Sequence, residues 1–443
     1  MNYQQTKDYL EEYASLGSKP GLDSIRMLCE RLGNPQDALN FIHIAGTNGK
    51  GSVSAFTAGI LRKAGFHVGR YTFPAVFAYE ERFEYDGKPI GKTTLAKIFS
   101  EVAKASDAME AEGFLHPTVF EMETAAAFLF FREKKADAVV LECGMGGLLD
   151  ATNIIAAPMV CVFTSISRDH MAYLGNTVEE IAGQKAGILK AGAVAVSAPQ
   201  EECVRKVLQE AARKMGCPFI RVDADFIGKV QCGERTTRFD YGPYKNLSIS
   251  LRGTWQPENA ATALEAALAF LNCVGKRPGK RKTAEEDFRE ECIRKGLRET
   301  VWPGRFETVG KHPLFLIDGA HNEGAALRLR DSVANYFTNR EIIYIMGMLK
   351  DKETERVAEI MAPLAAKIIT VTPPSNPRAM QAYDLAMTVR TFHPCVSTAD
   401  SVEEAVELAT LLAGPEGVIL AFGSLSYLGK IKETLAGKEA GKW

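Results

Sequence analysis

Apolar runs of four to six residues alternate along this chain with stretches that repeat their hydrophobic positions at helical spacing, the pattern of a doubly wound, mostly parallel sheet. In the first half, strands are predicted at 41–45, 138–142, 160–165 and 193–197. Helices are predicted at 50–64, around 124–131 and 178–185, at 202–215 and at 257–271. Residues 219–251 lose the helical period and read as a strand-rich excursion at the edge of this domain. After Trp302–Arg305 the alternation restarts, with strands at 314–318, 342–347, 367–371 and 418–422 and helices near 323–336, 352–361 and 402–412. The predicted boundary lies near 295–305, giving domains of 1–298 and 299–443, both α/β, with no internal repeat.

At 443 residues the chain exceeds one ordinary core, which agrees with two domains. A net charge of −2 gives no bulk field toward nucleic acid or membrane. The basic stretch 274–287 lacks interleaved aromatics and reads as a solvated loop. No apolar run approaches the roughly 20 residues that span a bilayer, and the N-terminus resembles neither a signal nor a transit peptide. Nine scattered cysteines with no CxxC pair fit reduced thiols in a cytoplasmic protein rather than a zinc or disulfide framework. No heptad pattern is present, and a monomer is expected.

The strongest local signal is Gly46-Thr47-Asn48-Gly49-Lys50-Gly51-Ser52, directly after a strand and before a helix. Glycines let backbone N–H groups converge on a phosphate, and the helix N-terminus adds a favourable dipole. Lys50 can neutralise β- and γ-phosphates, and the Ser52 hydroxyl suits magnesium. Gly51 separates lysine from serine, so the match to the usual phosphate-loop pattern is imperfect. Nucleotide binding follows; the type of NTP chemistry does not.

The form GTNGKGS resembles the Mur ligase superfamily and, within it, the folylpolyglutamate synthase/dihydrofolate synthase family. The resemblance continues in order through Tyr71-Thr72-Phe73-Pro74, Glu81-Arg82, Pro117–Glu121, Leu141–Gly147, Leu149–Asn153, Asp169-His170 and Lys185–Ile188. It then reaches Gln256, Asn259-Ala260, Trp302–Arg305, Asp318–Asn322, Gly347–Lys352, Pro377–Ala379 and Gly423–Leu425, about 380 residues in all. It implies a phosphate-loop ATP-binding domain with a doubly wound sheet, and a smaller Rossmann-like C-terminal domain that binds the amino acid. The implied reaction phosphorylates a carboxylate with ATP and lets an amino acid displace the phosphate.

The resemblance also implies site roles. Ser52, Glu142 and His170 match magnesium ligands. Lys185 matches a lysine carbamylated by carbon dioxide that helps hold a second magnesium; at a helix end it would equally suit the helix dipole. Asn259 matches a contact to adenine. Arg305 would bring a cation toward the γ-phosphate on domain closure, or form a linker ion pair. Asp318 and His321 would hold ribose and phosphates. Ser424 would contact the glutamate, and Glu121 would support the metal shell or the pterin-side substrate.

Three positions depart from the family. Phe73, followed by Ala75, stands where the resembled segment carries a serine beside magnesium; Leu148 replaces an arginine; and Trp255 replaces a histidine. All swap polar for apolar groups and point to a change in substrate reading rather than in ATP chemistry. The expected substrates are L-glutamate and a folate- or pteroate-type acid. A non-folate acid, or a nucleotide-binding regulator without turnover, are the competing readings.

Overall fold

The computed structural model describes every residue except 18–20, 276–281 and 440–443. The chain divides into two compact units. One comprises Met1–Lys229, Phe239–Ser248 and Glu258–Thr300; the other comprises Val230–Arg238, Ile249–Pro257 and Val301–Trp443.

The first unit is built on eight strands: β1 (Phe41–Ala45), β2 (Val68–Tyr71), β3 (Phe83–Tyr85), β4 (Lys88–Pro89), β5 (Ala138–Glu142), β6 (Val160–Phe163), β7 (Val194–Ser197) and β8 (Phe219–Arg221). Their order is β4-β3-β2-β5-β1-β6-β7-β8. From β2 to β8 all pairings are parallel, and β3 and β4 add an antiparallel edge. Every residue of β1, β5 and β6 is buried, as expected of parallel strands covered by helices on both faces. Their continuous apolar runs made them legible in the sequence, whereas the short β2–β4 hairpin region carried no such run.

The excursion is a separate three-stranded sheet, β9 (Ile227–Cys232), β10 (Thr237–Tyr241) and β11 (Tyr244–Ile249). The second unit's sheet contains β12 (Glu307–Lys311), β13 (Leu314–Ile317), β14 (Ile342–Met346), β15 (Lys367–Val371), β16 (Val396–Ala399) and β17 (Val418–Phe422), in the order β12-β13-β17-β14-β15-β16. Only β12 is antiparallel.

Part of the basic stretch, 276–281, lies outside the described residues. Its continuation is not a loop: Lys282–Glu299 forms a helix that packs on the helix Lys50–Lys63. Glycines permit the close approach. A Cβ on Gly296 would lie 2.5 Å from Ile60 Cα, and one on Gly59 would lie 3.0 Å from the Gly296 carbonyl oxygen. The helix is highly charged, so its sequence read as solvated; tertiary packing on a glycine seam decided otherwise. Trp255 is also explained by packing. It sits against the second unit's core, its ring centre 6.4 Å from that of Phe306.

Candidate active site

In the first unit the chemistry gathers at the C-terminal edge of the parallel strands, the expected location in a doubly wound sheet. β1 ends at Ala45 and the chain turns through Gly46–Gly49 into the helix Lys50–Lys63. Gly49 has φ +89°, and a Cβ there would lie 2.6 Å from Asn259 Oδ1; a Cβ on Gly46 would collide with the Thr164 hydroxyl. The turn is tied to the segment after β6. The Thr47 and Asn48 amides donate to Ser165 O at 2.9 and 3.1 Å, and the Thr47 hydroxyl donates to Ser167 O at 2.9 Å. Sequence reasoning had given Ser165 and Ser167 no part; neighbouring strands supply them.

Lys50 donates to the carbonyls of Gly46 and Thr47 at 3.2 and 3.3 Å. Lys185, from the helix Val178–Ala186, donates to the same Gly46 carbonyl at 2.9 Å. Lys185 is 4% exposed, so it is not a solvated lysine facing a helix dipole. Burial first, and the like charge of Lys50 second, push its amine down to about 7. Two lysines thus converge on one carbonyl at a helix N-terminus, where an anion is needed to balance them.

Ser52 is buried in the first turn of the loop helix, and Glu142 is buried at the end of β5, where it pairs in register with Ile44 of β1. Glu142 is therefore no solvated strand-end acid. His170 has φ +52°, an uncommon conformation for a residue with a side chain, and its amide donates to Asp169 Oδ1 at 2.9 Å. Among the described residues no group of three or more His, Cys, Asp or Glu is placed to hold a metal by itself. A hydroxyl, a carboxylate and an imidazole around a phosphate-shaped turn fit magnesium, which takes few protein ligands and completes its shell with phosphate and water.

A buried network stands behind this edge. His43 Nε2 lies 2.9 Å from the Thr152 hydroxyl and 3.1 Å from Cys143 Sγ. The Thr152 hydroxyl donates to Asp150 Oδ1 at 2.5 Å, and Asp150 also accepts from the Met145 amide at 2.8 Å. Burial pushes His43 down to about 3, so it stays neutral. Leu148 continues this loop, 44% exposed, with its amide on Gln184 O at 2.8 Å.

Glu121 has a local structural role. The Thr118 amide and hydroxyl donate to its Oε2 at 2.7 and 2.8 Å, and its own amide returns a bond to Thr118 Oγ1, closing a capping box on the helix Val119–Glu133. Glu121 thus sets a helix start. Nearby, Phe73 packs over Arg82, whose guanidinium carbon is 4.7 Å from the ring centre, and Arg82 forms a buried ion pair with Glu123. The sequence showed Arg82 but not its partner, which is 41 residues away.

In the second unit, Arg305, Asp318, His321 and Ser424 lie on turns that continue from β13 and β17 or flank them. Asp318 accepts the amides of Phe306 and Ala320, both at 2.8 Å. It thereby fixes the turn that carries Arg305, a positioning role. Burial raises its carboxyl despite the opposing charge of Arg305. His321 Nδ1 lies 2.8 Å from Gly319 O, and Ser424, buried after β17, accepts the Ser426 amide at 3.2 Å.

Comparison with known proteins adds a family. Residues 90–267 match the Mur ligase middle domain and residues 304–425 the Mur ligase, glutamate ligase domain. The chain is 34% identical over 439 residues to the dihydrofolate synthase/folylpolyglutamate synthase of Bacillus subtilis, covering 98% of this chain and 99% of that protein. The chain belongs to the folylpolyglutamate synthase/dihydrofolate synthase family. Among solved structures, the Mycobacterium tuberculosis folylpolyglutamate synthase complexed with ADP aligns with a TM-score of 0.88 at 28% identity, over 98% of both chains. E. coli FolC in complex with DHPP and ADP aligns at 0.83 and 27%, over 100% of this chain and 99% of that one. Like the other members of the family, this chain is an ATP-dependent ligase, and no helix among its described residues is long and apolar enough to cross a membrane.

Proposed function

We propose that this ligase adds L-glutamate to a folate- or pteroate-type carboxylate by way of an acyl phosphate. The observation that carries the reading is the meeting of Lys50 and Lys185 on the Gly46 carbonyl at a helix N-terminus. In the first step a carboxylate oxygen attacks the γ-phosphorus of ATP, the bond to the β,γ-bridging oxygen breaks, and ADP leaves with that electron pair. Lys50 and the first-turn amides of the loop helix hold the phosphates in line. In the second step the glutamate ammonium loses its proton, its nitrogen attacks the acyl carbon, and inorganic phosphate leaves.

Ser52, Glu142 and His170 are the residues that would hold Mg²⁺, which supplies charge neutralisation on the phosphates when bound. Lys185 is proposed to be carbamylated: its neutral amine attacks carbon dioxide, a proton is lost, and a carbamate anion results. Low basicity favours this step, and an anion there relieves the repulsion with Lys50 and offers hard oxygens to a second magnesium. Arg305 is assigned the cation that stabilises the transferring phosphoryl group, with Asp318 positioning it. Asn259, set against Gly49, is assigned to the nucleotide, His321 to its phosphates and Ser424 to the glutamate. The relatives named above lend support through their names and their bound ADP and DHPP.

The test is a coupled ADP-release assay with dihydropteroate, reduced folates and unrelated carboxylates, each with and without L-glutamate. Release that requires both a pterin-bearing acid and glutamate is expected. Release that is indifferent to the acid, or that requires a non-pterin acid, would overturn the assignment.

A further inference from the structure

Lys185 owes its place to more than its own helix. The helix Val178–Ala186 ends one residue after it, and the loop that follows Glu142 is laid directly against that end. The Leu148 amide donates to Gln184 O at 2.8 Å. Glycines on both sides make the approach possible. A Cβ on Gly147 would lie 2.9 Å from Lys185 O and 3.0 Å from Gln184 O, and one on Gly187 would lie 2.5 Å from Leu148 Cβ. From this helix end Lys185 extends its amine to Gly46 O at 2.9 Å.

One side chain closes this seam. Asn153, 3% exposed, lies in the single turn Ala151–Ile154, whose start is held by the Asp150 carboxylate accepting the Thr152 amide at 3.0 Å. Its Nδ2 donates to Leu148 O at 3.0 Å and to Gly187 O at 3.1 Å. A primary amide has two N–H bonds, and here each meets one carbonyl, one from the loop and one from the helix end. These acceptors fix the orientation of the amide, because turning it over would set Oδ1 against two carbonyl oxygens. As it stands, Oδ1 is buried with no hydrogen-bond partner, a cost that the two bonds must outweigh. A serine carries one donor and an aspartate none, so neither can hold both carbonyls.

We propose that Asn153 is a positioning residue for the reaction: by joining Leu148 O to Gly187 O it fixes the C-terminal end of the helix Val178–Ala186 and so sets the reach of Lys185 to the phosphate loop. The inference deepens the role given to Lys185 above and rests on it. Asn153 has no contact with substrate or phosphate in this assignment. Its effect on turnover passes through Lys185.

The experiment compares full-length wild type with Asn153→Ala, Gly187→Ala and Thr177→Ala by ADP-release kinetics, urea unfolding and crystal structures. Asn153→Ala removes the clamp. Gly187→Ala pushes the loop off the helix end without touching Asn153, and tests the same seam should the first variant fail to fold. Thr177→Ala weakens only the far end of the same helix, where its Oγ1 accepts the Glu180 amide at 3.2 Å. The first two are expected to lower kcat by about 10-fold or more while the KM for ATP changes by less than about 3-fold. Their density is expected to show Lys185 Nζ moved off Gly46 O. Thr177→Ala should lower the unfolding midpoint and keep kcat within about 2-fold of wild type. Unchanged kcat in Asn153→Ala and Gly187→Ala despite lower unfolding midpoints would overturn the proposal, as would lowered kcat with Lys185 still on Gly46 O. NMR in ¹³C-labelled bicarbonate separates this inference from the chemistry assigned to Lys185. A carbamate signal in wild type that weakens in the first two variants is expected, and an equal signal in all would overturn the positioning role. No signal in any of them, with kcat and density as expected, would overturn carbamylation and keep the positioning role.

Discussion

The turn Gly46–Ser52 and the segment Thr72–Arg82 both belong to one sheet edge, yet they are built in opposite ways. The first is made of backbone. Glycines bring carbonyls and amides close, and the charged side chains of Lys50 and Lys185 bend onto the Gly46 carbonyl. The second is made of side chains. Arg82 lies between the rings of Phe73 and Tyr79 and is paired with buried Glu123, which also accepts from the Tyr79 hydroxyl at 2.8 Å. A turn made of backbone tolerates few substitutions and keeps its chemistry. A segment made of packed side chains can exchange an oxygen for a ring, as Phe73 has done, and still hold its shape. The contrast predicts that turnover is lost at the first and stability at the second.

The largest effect is expected at Lys50. Lys50→Ala should lower ADP formation by about 10³-fold, about 4 kcal/mol of transition-state stabilisation, with little change in unfolding free energy. Comparable activity in the variant would break the comparison from its catalytic side. Glu123→Ala comes next. It leaves the Arg82 guanidinium buried without its partner and should cost about 3–5 kcal/mol in urea unfolding, while ATP affinity is retained. Loss of ATP binding without loss of stability would reverse the roles given to the two regions.

Lys185 sharpens the comparison because its effect on stability opposes its effect on activity. In carbon dioxide-free buffer, Lys185→Met should raise stability by about 1–3 kcal/mol, since a buried amine beside Lys50 is removed, and should abolish ligation. The pH dependence has a definite sign. The folded amine titrates near 7 and the unfolded one near its ordinary 10.5, so between these values the unfolded chain binds the extra proton. For this group stability is lowest below about 7 and rises with pH through that window, and Lys185→Met should flatten the rise. Phe73→Ser is expected to have the smallest effect. Losing the contact with Arg82 should cost about 1 kcal/mol, and the KM for the acid should change more than the KM for ATP.

What could be read in the sequence follows the same division. Strands β1, β5, β14, β15 and β17 are short apolar runs covered on both faces, so their pattern is complete in the sequence. The phosphate loop is likewise local, seven consecutive residues whose types state their chemistry. What stayed hidden depends on partners far along the chain. The capping bonds between Glu121 and Thr118 depend on where the helix Val119–Glu133 begins, which the run Pro117–Glu121 does not state by itself. The hold of Asp318 on the Phe306 amide exists only once the fold brings the two together. The helix Lys282–Glu299 was unreadable in a charged run because its stability comes from Gly59 and Gly296 letting two helices meet.

The central claim is that a phosphoryl group passes from ATP to the carboxylate before the amide forms. It is tested most directly with the acceptor acid labelled with ¹⁸O in the carboxylate that reacts with glutamate. The account predicts that the inorganic phosphate released during ligation carries one ¹⁸O from the acid, because the bridging oxygen of an acyl phosphate leaves with phosphorus. Phosphate released without label while amide product accumulates would contradict it.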